Sequence, residues 1–158
     1  MTAAPEVEIK LNPELNPRQL FDFYTKNNIC EAGYGEEIAA RPLSHSSLIV
    51  AAFRGEELVA IARAMFDGLS ADLAEFCLAL ELQGTGLIYD NGSLIEKDDF
   101  GVGKRVGEVL LRELQSMGAD FISTTCLEDV EERFYAGLGL RHNPYSLEYI
   151  LDRRPYVD

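Results

Sequence analysis

DDFGVGKRVGEVLL, residues 98–111, sets three glycines and a lysine directly before apolar residues at helical spacing. Val106, Val109, Leu110, Leu114 and Met117 keep that spacing until Gly118 supplies a stop, so a helix is expected from the glycine turn to that position. A glycine turn feeding a helix N-terminus is an anion site in outline. Its unpaired N–H groups point outward, and the helix dipole adds about half a positive charge there. Two phosphate loops are excluded by spacing. A Walker loop needs glycine five positions before Gly103 and Ser or Thr after the lysine, where this chain has Asp98 and Arg105. A dinucleotide fingerprint needs a third glycine where Val106 stands. By itself the stretch is either an anion loop or only a tight turn, with Gly107 allowing close helix contact.

Working outward, EVEIKL reads as an opening strand, and Asn16 with Pro17 reads as the cap and first residue of a helix through PRQLFDFYTKNN. The stretch 29–47 is less periodic and is expected to be a short helix plus loop. SLIVAAF, RGEE and LVAIARAMF give two apolar runs around a tight turn, a hairpin pattern. ADLAEFCLALELQ fits a helix or a strand buried on both faces, and periodicity alone leaves both open. Asn91-Gly92 suits a hairpin turn into SLIEK. ADFISTTCL reads as a strand, VEERFYAGL as a helix started by Glu128 or Asp129, and YSLEYILD as a final strand. Strands before and after two helices give an α/β (α+β) sheet with helices on its faces.

The 158 residues, 47% of them hydrophobic, suit a single domain spanning 1–158. A net charge of −13 would repel nucleic acid and would favour cationic ligands such as amines. No segment reaches the roughly 18 apolar residues of a membrane span. Cys30, Cys77 and Cys126 have no metal-ligand spacing and read as reduced core thiols, which points to a cytoplasmic protein without a membrane partner. His45 and His142 stand in no metal or nucleophile pattern, so no metal is expected.

The far end of the chain decides between loop and turn. EDVEERFYAGLGLRHN places Phe134-Tyr135 just before GLGL, after a strand and a short helix. With GVGK upstream, and fifteen positions between Gly103 and Gly118, the chain resembles the GCN5-related N-acetyltransferase (GNAT) superfamily over roughly residues 48–151. The resemblance implies the acyl-CoA N-acyltransferase fold, with a mixed, mostly antiparallel central sheet flanked by helices. It makes LAEFCLALELQG the central strand and Gly101, Val102, Gly103, Lys104 and Arg105 the diphosphate loop. Two departures stand out. Seventeen residues, 84–100, separate Gln83 from Gly101, where most members pass directly to the loop; either they form an extra hairpin, or Asp98 takes the place of the family's Gln or Arg. Glu128 stands where many members have Asn.

By the same resemblance, acetyl-CoA is the cofactor, CoA is the product, and the acetyl acceptor is a primary amine of a small molecule or peptide. Such transfer needs amine deprotonation, a donor for the developing oxyanion and a proton for the departing thiolate. Tyr135 is the candidate acid. Glu75, an acid within an apolar strand, is the candidate base through water, with a surface position as its alternative. The backbones of Phe76, Cys77 and Leu78 would line the pantetheine arm. Glu31, Tyr34, Glu36 and Glu37 could meet a cationic acceptor, although GEE also reads as a solvated helix start. A non-catalytic binding protein on the same fold is the rival reading, favoured by Asp98 and Glu128. A thioesterase-like use of CoA is disfavoured because no paired His and acid is visible. Exposed edge strands and the terminal DRRPYVD offer routes to a homodimer.

Overall fold

A computed structural model describes residues 5–29, 34–127 and 129–154. Cys30, Glu31, Gly33, Glu128 and the end of DRRPYVD lie outside the described residues.

The chain runs β1 (Glu8–Leu11), α1 (Pro17–Lys26), α2 (Glu37–His45), β2 (Leu48–Arg54), β3 (Glu57–Phe66), β4 (Ser70–Leu78), α3 (Leu80–Gln83), α4 (Val102–Ser116), β5 (Phe121–Ser123) and α5 (Glu132–Gly137). The five strands lie in sequence order, antiparallel from β1 to β4, with β5 parallel to β4. The parallel step follows from the α4 crossover, which returns the chain to the starting end of the sheet.

Local chemistry accounts for these elements. The Asn16 side chain accepts the Arg18 amide at 2.8 Å and Pro17 opens α1. β2 and β3 are buried on both faces, which explains their unbroken apolar runs. Glu75 and Phe76 are neighbours on β4 and face opposite ways. Glu75 meets Tyr24 of α1, whereas Phe76 meets Phe134 and Tyr135 of α5. Helix α4 shares the Phe76 face. Gly107 abuts Leu138 so closely that an added Cβ would lie 2.6 Å from its side chain.

The structure departs from the sequence expectations at five places. The central strand ends at Leu78, and Leu80–Gln83 form one helical turn. Residues 84–100 form no hairpin. Gly92 is tied to distant backbone, its N–H donating to Asn27 at 2.8 Å and its carbonyl accepting from Leu78 at 2.9 Å. Those long-range bonds win over a local hairpin turn, and an added Cβ at Gly92 would lie 2.9 Å from Asn27 Cβ. Strand β5 covers only Phe121–Ser123. Cys126 is therefore exposed beyond it, while Cys77 is buried as expected. YSLEYILD is not a strand. Residues 145–151 lie against no sheet edge, and β-propensity without a neighbouring ladder does not make a strand. Among the described residues, no helix is long and apolar enough to cross a membrane.

Candidate active site

The candidate site lies where β4 and β5 part. They pair only from Ser70 to Asp72 and from Phe121 to Ser123. Past that point, Thr124 Oγ1 still donates to the Leu73 carbonyl at 3.3 Å. N–H groups alternate in direction along a strand, so Phe76 and Leu78 direct theirs away from β3, while Cys77 directs its own towards it. The Leu78 N–H is engaged by Gly92. Of the three residues expected along the arm, Phe76 thus turns a donor towards the parting, Leu78 has spent its own, and Cys77 faces its neighbour strand.

Tyr135 stands beside this parting, 6% exposed, in a cluster of three rings. Phe134 crosses Phe76 edge-on at 5.0 Å between centroids, and Tyr135 lies 5.2 Å from Phe134 and 6.3 Å from Phe76. Burial first, and the nearby Glu131 carboxyl second, push the Tyr135 phenol well above its ordinary value, against a smaller lowering from a Thr124 hydrogen bond. Its hydroxyl therefore keeps its proton. Glu131 is itself 3% exposed, and its carboxylate accepts the amides of Ile95 at 3.1 Å and Leu127 at 3.0 Å. Burial raises its pKa despite those bonds.

The glycine turn contains the observation that composition could not supply. Gly101 is left-handed (φ 72°) and leads into α4, whose first amides point out of the helix. Asp98 takes them. Its Oδ1 accepts from Gly103 N–H at 2.9 Å and its Oδ2 from Lys104 N–H at 2.8 Å, while its carbonyl accepts from Gly101 N–H at 3.0 Å. Val102 is buried, Lys104 is exposed, and Arg105 reaches back to the Val7 carbonyl at 3.5 Å.

Glu75 belongs to a different group of contacts. Tyr24 Oη donates to its Oε2 at 2.6 Å and Arg63 Nε to its Oε1 at 3.2 Å. Arg63 also donates to Ser46 Oγ at 3.0 Å, and that hydroxyl donates to Pro42 O at 2.6 Å. The carboxylate thus ties α1, α2, β3 and β4 together. Burial, then the charge of Glu75, raises the Tyr24 phenol far above its usual range. Sequence reasoning missed Arg63, although an arginine inside LVAIARAMF calls for a buried acid. It also missed Glu131, whose carboxylate accepts the Ile95 amide, and it named Gln83 without its contact, the side-chain carbonyl accepting the Glu96 amide of the 84–100 segment. Of the remaining candidates, Glu36 and Glu37 are exposed at the start of α2, and Tyr34 lines an open cleft with Arg41 and residues of the C-terminal segment. His45 closes α2 and His142 is exposed. No cluster of potential metal ligands occurs among the described residues.

Solved structures share this architecture. A GNAT-family acetyltransferase from Streptococcus pneumoniae superposes with a TM-score of 0.65 at 18% identity, covering 94% of this chain and 100% of that one. A Staphylococcus aureus protein of unknown function, described as a probable acetyltransferase, gives 0.69 at 12% identity over 93% and 99%. The chain has the GNAT fold. Glucosamine-6-phosphate N-acetyltransferase from Arabidopsis thaliana has the same fold, with a TM-score of 0.63 at 13% identity over 92% and 99%. No family model and no curated protein matches the sequence.

GNAT enzymes bind acetyl-CoA, and the turn at 101–104 can be tested for it directly. Two amides converge on a carboxylate, so the donor set fits an anion, and the anion in place is the chain's own. A diphosphate would be received at Gly103 and Lys104 once Asp98 gives those amides up, with the Lys104 ammonium exposed beside it. Two open clefts lie elsewhere on the surface, and neither is lined by Tyr135 or by this turn.

Proposed function

We propose that this GNAT-fold chain is an acetyl-CoA-dependent N-acetyltransferase acting on a primary amine of a small molecule or peptide. The observation that carries the proposal is the pair of amides at Gly103 and Lys104 converging on an anion, on the same face of the sheet as Tyr135. Bound acetyl-CoA supplies a thioester whose acetyl group an amine can take. The chain's own residues have the remaining tasks. Phe76 N–H is the donor directed into the parting of β4 and β5, suited to a carbonyl oxygen gaining charge. Tyr135 keeps a proton on its hydroxyl and is the group to release it to a thiolate. Glu75 is assigned to positioning, because both of its oxygens are engaged by Tyr24 and Arg63. An acidic surface favours the approach of a cationic amine, and the exposed thiol of Cys126 is in keeping with a reducing cytoplasm.

A second reading has its own observation. Asp98 on the turn amides and Gly92 on the Leu78 amide leave a closed site, which suits a non-catalytic protein that keeps the fold. One pair of measurements separates the two. Titration calorimetry with CoA reports binding, and thiol release from acetyl-CoA with a panel of amines reports transfer. Binding with amine-dependent release supports the enzyme. Absence of both leaves the binding protein.

A further inference from the structure

Glu131 is the buried charged group beside Tyr135 to which the proposed chemistry gives no role. It stands at the N-terminal boundary of α5, one helical turn before Tyr135, yet its side chain makes no bond to the amides of its own helix. Its oxygens go to two other segments. Oε1 accepts from Ile95 N–H at 3.1 Å and Oε2 from Leu127 N–H at 3.0 Å. Glu131 is almost fully buried and forms no ion pair among the described residues. A buried carboxylate without a cation is unfavourable, and burial raises its pKa in spite of both amides.

The segments that own the two amides explain the placement. Ile95 is fully buried and opens the stretch 95–99, which Gln83 holds: its side-chain oxygen accepts from Glu96 N–H and its backbone carbonyl from Asp99 N–H, each at 3.1 Å. Gln83 Nε2 in turn donates to the Leu78 carbonyl, at the end of β4, at 3.1 Å. The stretch is thus a brace from the end of β4 to Asp98 and the turn at 101–104, and Glu131 links it to α5. Leu127 lies in the connection from β5 to α5. Its carbonyl accepts the Glu131 N–H at 3.2 Å, so the connection closes on Glu131 through both backbone and side chain.

We propose that Glu131 is a positioning residue for Tyr135: by clasping the brace and the end of the β5 connection, it sets the phenol at a fixed place relative to the turn at 101–104 and the parting of β4 and β5. The inference rests on the acetyl-transfer reading above and adds to it a residue that acts only through another. Two amides on two oxygens make the clasp specific to a carboxylate. Glutamine offers one oxygen and turns its NH2 group towards the other N–H, so Glu131→Gln opens one side of the clasp at nearly unchanged volume.

A double-mutant cycle with Tyr135→Phe tests this, together with calorimetry of CoA binding and amide hydrogen exchange. In Glu131→Gln, kcat is expected to fall roughly 10–100-fold as the phenol is misplaced. CoA is expected to bind this variant within about threefold of the natural chain, since Gln83 still holds the brace. In the Tyr135→Phe background the same substitution is expected to change kcat less than about twofold, because the group it places is already gone. Exchange in the natural chain without ligand is expected to show the Ile95 and Leu127 amides protected, with protection lost at one of them in Glu131→Gln. Equal falls in kcat in both backgrounds would overturn the proposal while leaving the enzyme reading intact, and so would free exchange of both amides in the natural chain. Absence of amine-dependent thiol release by the natural chain overturns the enzyme reading and this inference with it.

Discussion

Asp98 Oδ1 accepts the Gly103 amide at 2.9 Å, and the same carboxylate's other oxygen accepts from Lys104. The side chain caps α4 from three positions before the residue that would ordinarily do so. It also places a negative charge where the proposed function needs an incoming one. Asp98→Asn removes that charge and leaves one acceptor oxygen for two amides. Inorganic diphosphate and CoA are expected to bind the variant about tenfold more tightly than the natural chain, about 1.4 kcal/mol. Without ligand, the variant is expected to melt roughly 2–4 °C lower, as a cap worth about 1 kcal/mol is weakened. Calorimetry and thermal unfolding read the two effects separately. Equal affinities for the two proteins would remove Asp98 as a competitor.

Arg63 and Glu75 are Cα partners across β3 and β4, with side chains 11% and 16% exposed. Removing one partner leaves the other charge stranded. Arg63→Met is expected to cost about 3–5 kcal/mol in urea unfolding, whereas Arg63→Met with Glu75→Met costs markedly less. Glu75→Gln keeps the Tyr24 contact but loses the ion pair, so its effect falls mainly on stability. Should Glu75→Gln abolish amine acetylation while leaving the urea midpoint unchanged, the carboxylate acts in the chemistry and not in positioning.

Tyr135→Phe keeps the ring in its cluster with Phe76 and Phe134 and deletes only the hydroxyl. A roughly 10²–10⁴-fold fall in kcat is expected, with little change in the acetyl-CoA KM. Because burial and Glu131 raise the phenol's pKa, no falling limb of kcat from this residue is expected below about pH 10. Steady-state kinetics across pH check both points, and undiminished turnover in the variant removes the assigned role.

Glu131 gives the stability a pH dependence of known sign. Burial raises its folded pKa above the ordinary 4.5, so the native state holds more protons than the unfolded chain between the two values. Its contribution is therefore fully present below the unfolded pKa and is lost as pH rises through the folded one. Urea unfolding of the natural chain and Glu131→Gln, from about pH 4 to 7, is expected to show the natural chain losing ground to the variant as pH rises. A pH-independent difference would exclude an elevated pKa at this site.

Much of the architecture is written in local pattern. Asn16-Pro17 starts α1, SLIVAAF and LVAIARAMF pair around Gly55-Glu56, and helical spacing after Gly103 carries α4 to its end before Gly118, because caps, turns and periodicity act over a few residues. The tertiary structure alone decided what fills the turn at 101–104, what Glu75 faces, and where residues 84–100 and 145–151 go. In each case a polar or charged group chooses among the partners the fold brings to it: Asp98 takes helix amides, Glu75 takes Arg63 and Tyr24, and Gly92 joins Asn27 to Leu78. Such choices depend on which donors the folded chain leaves unpaired and within reach, a quantity that no spacing in the sequence contains.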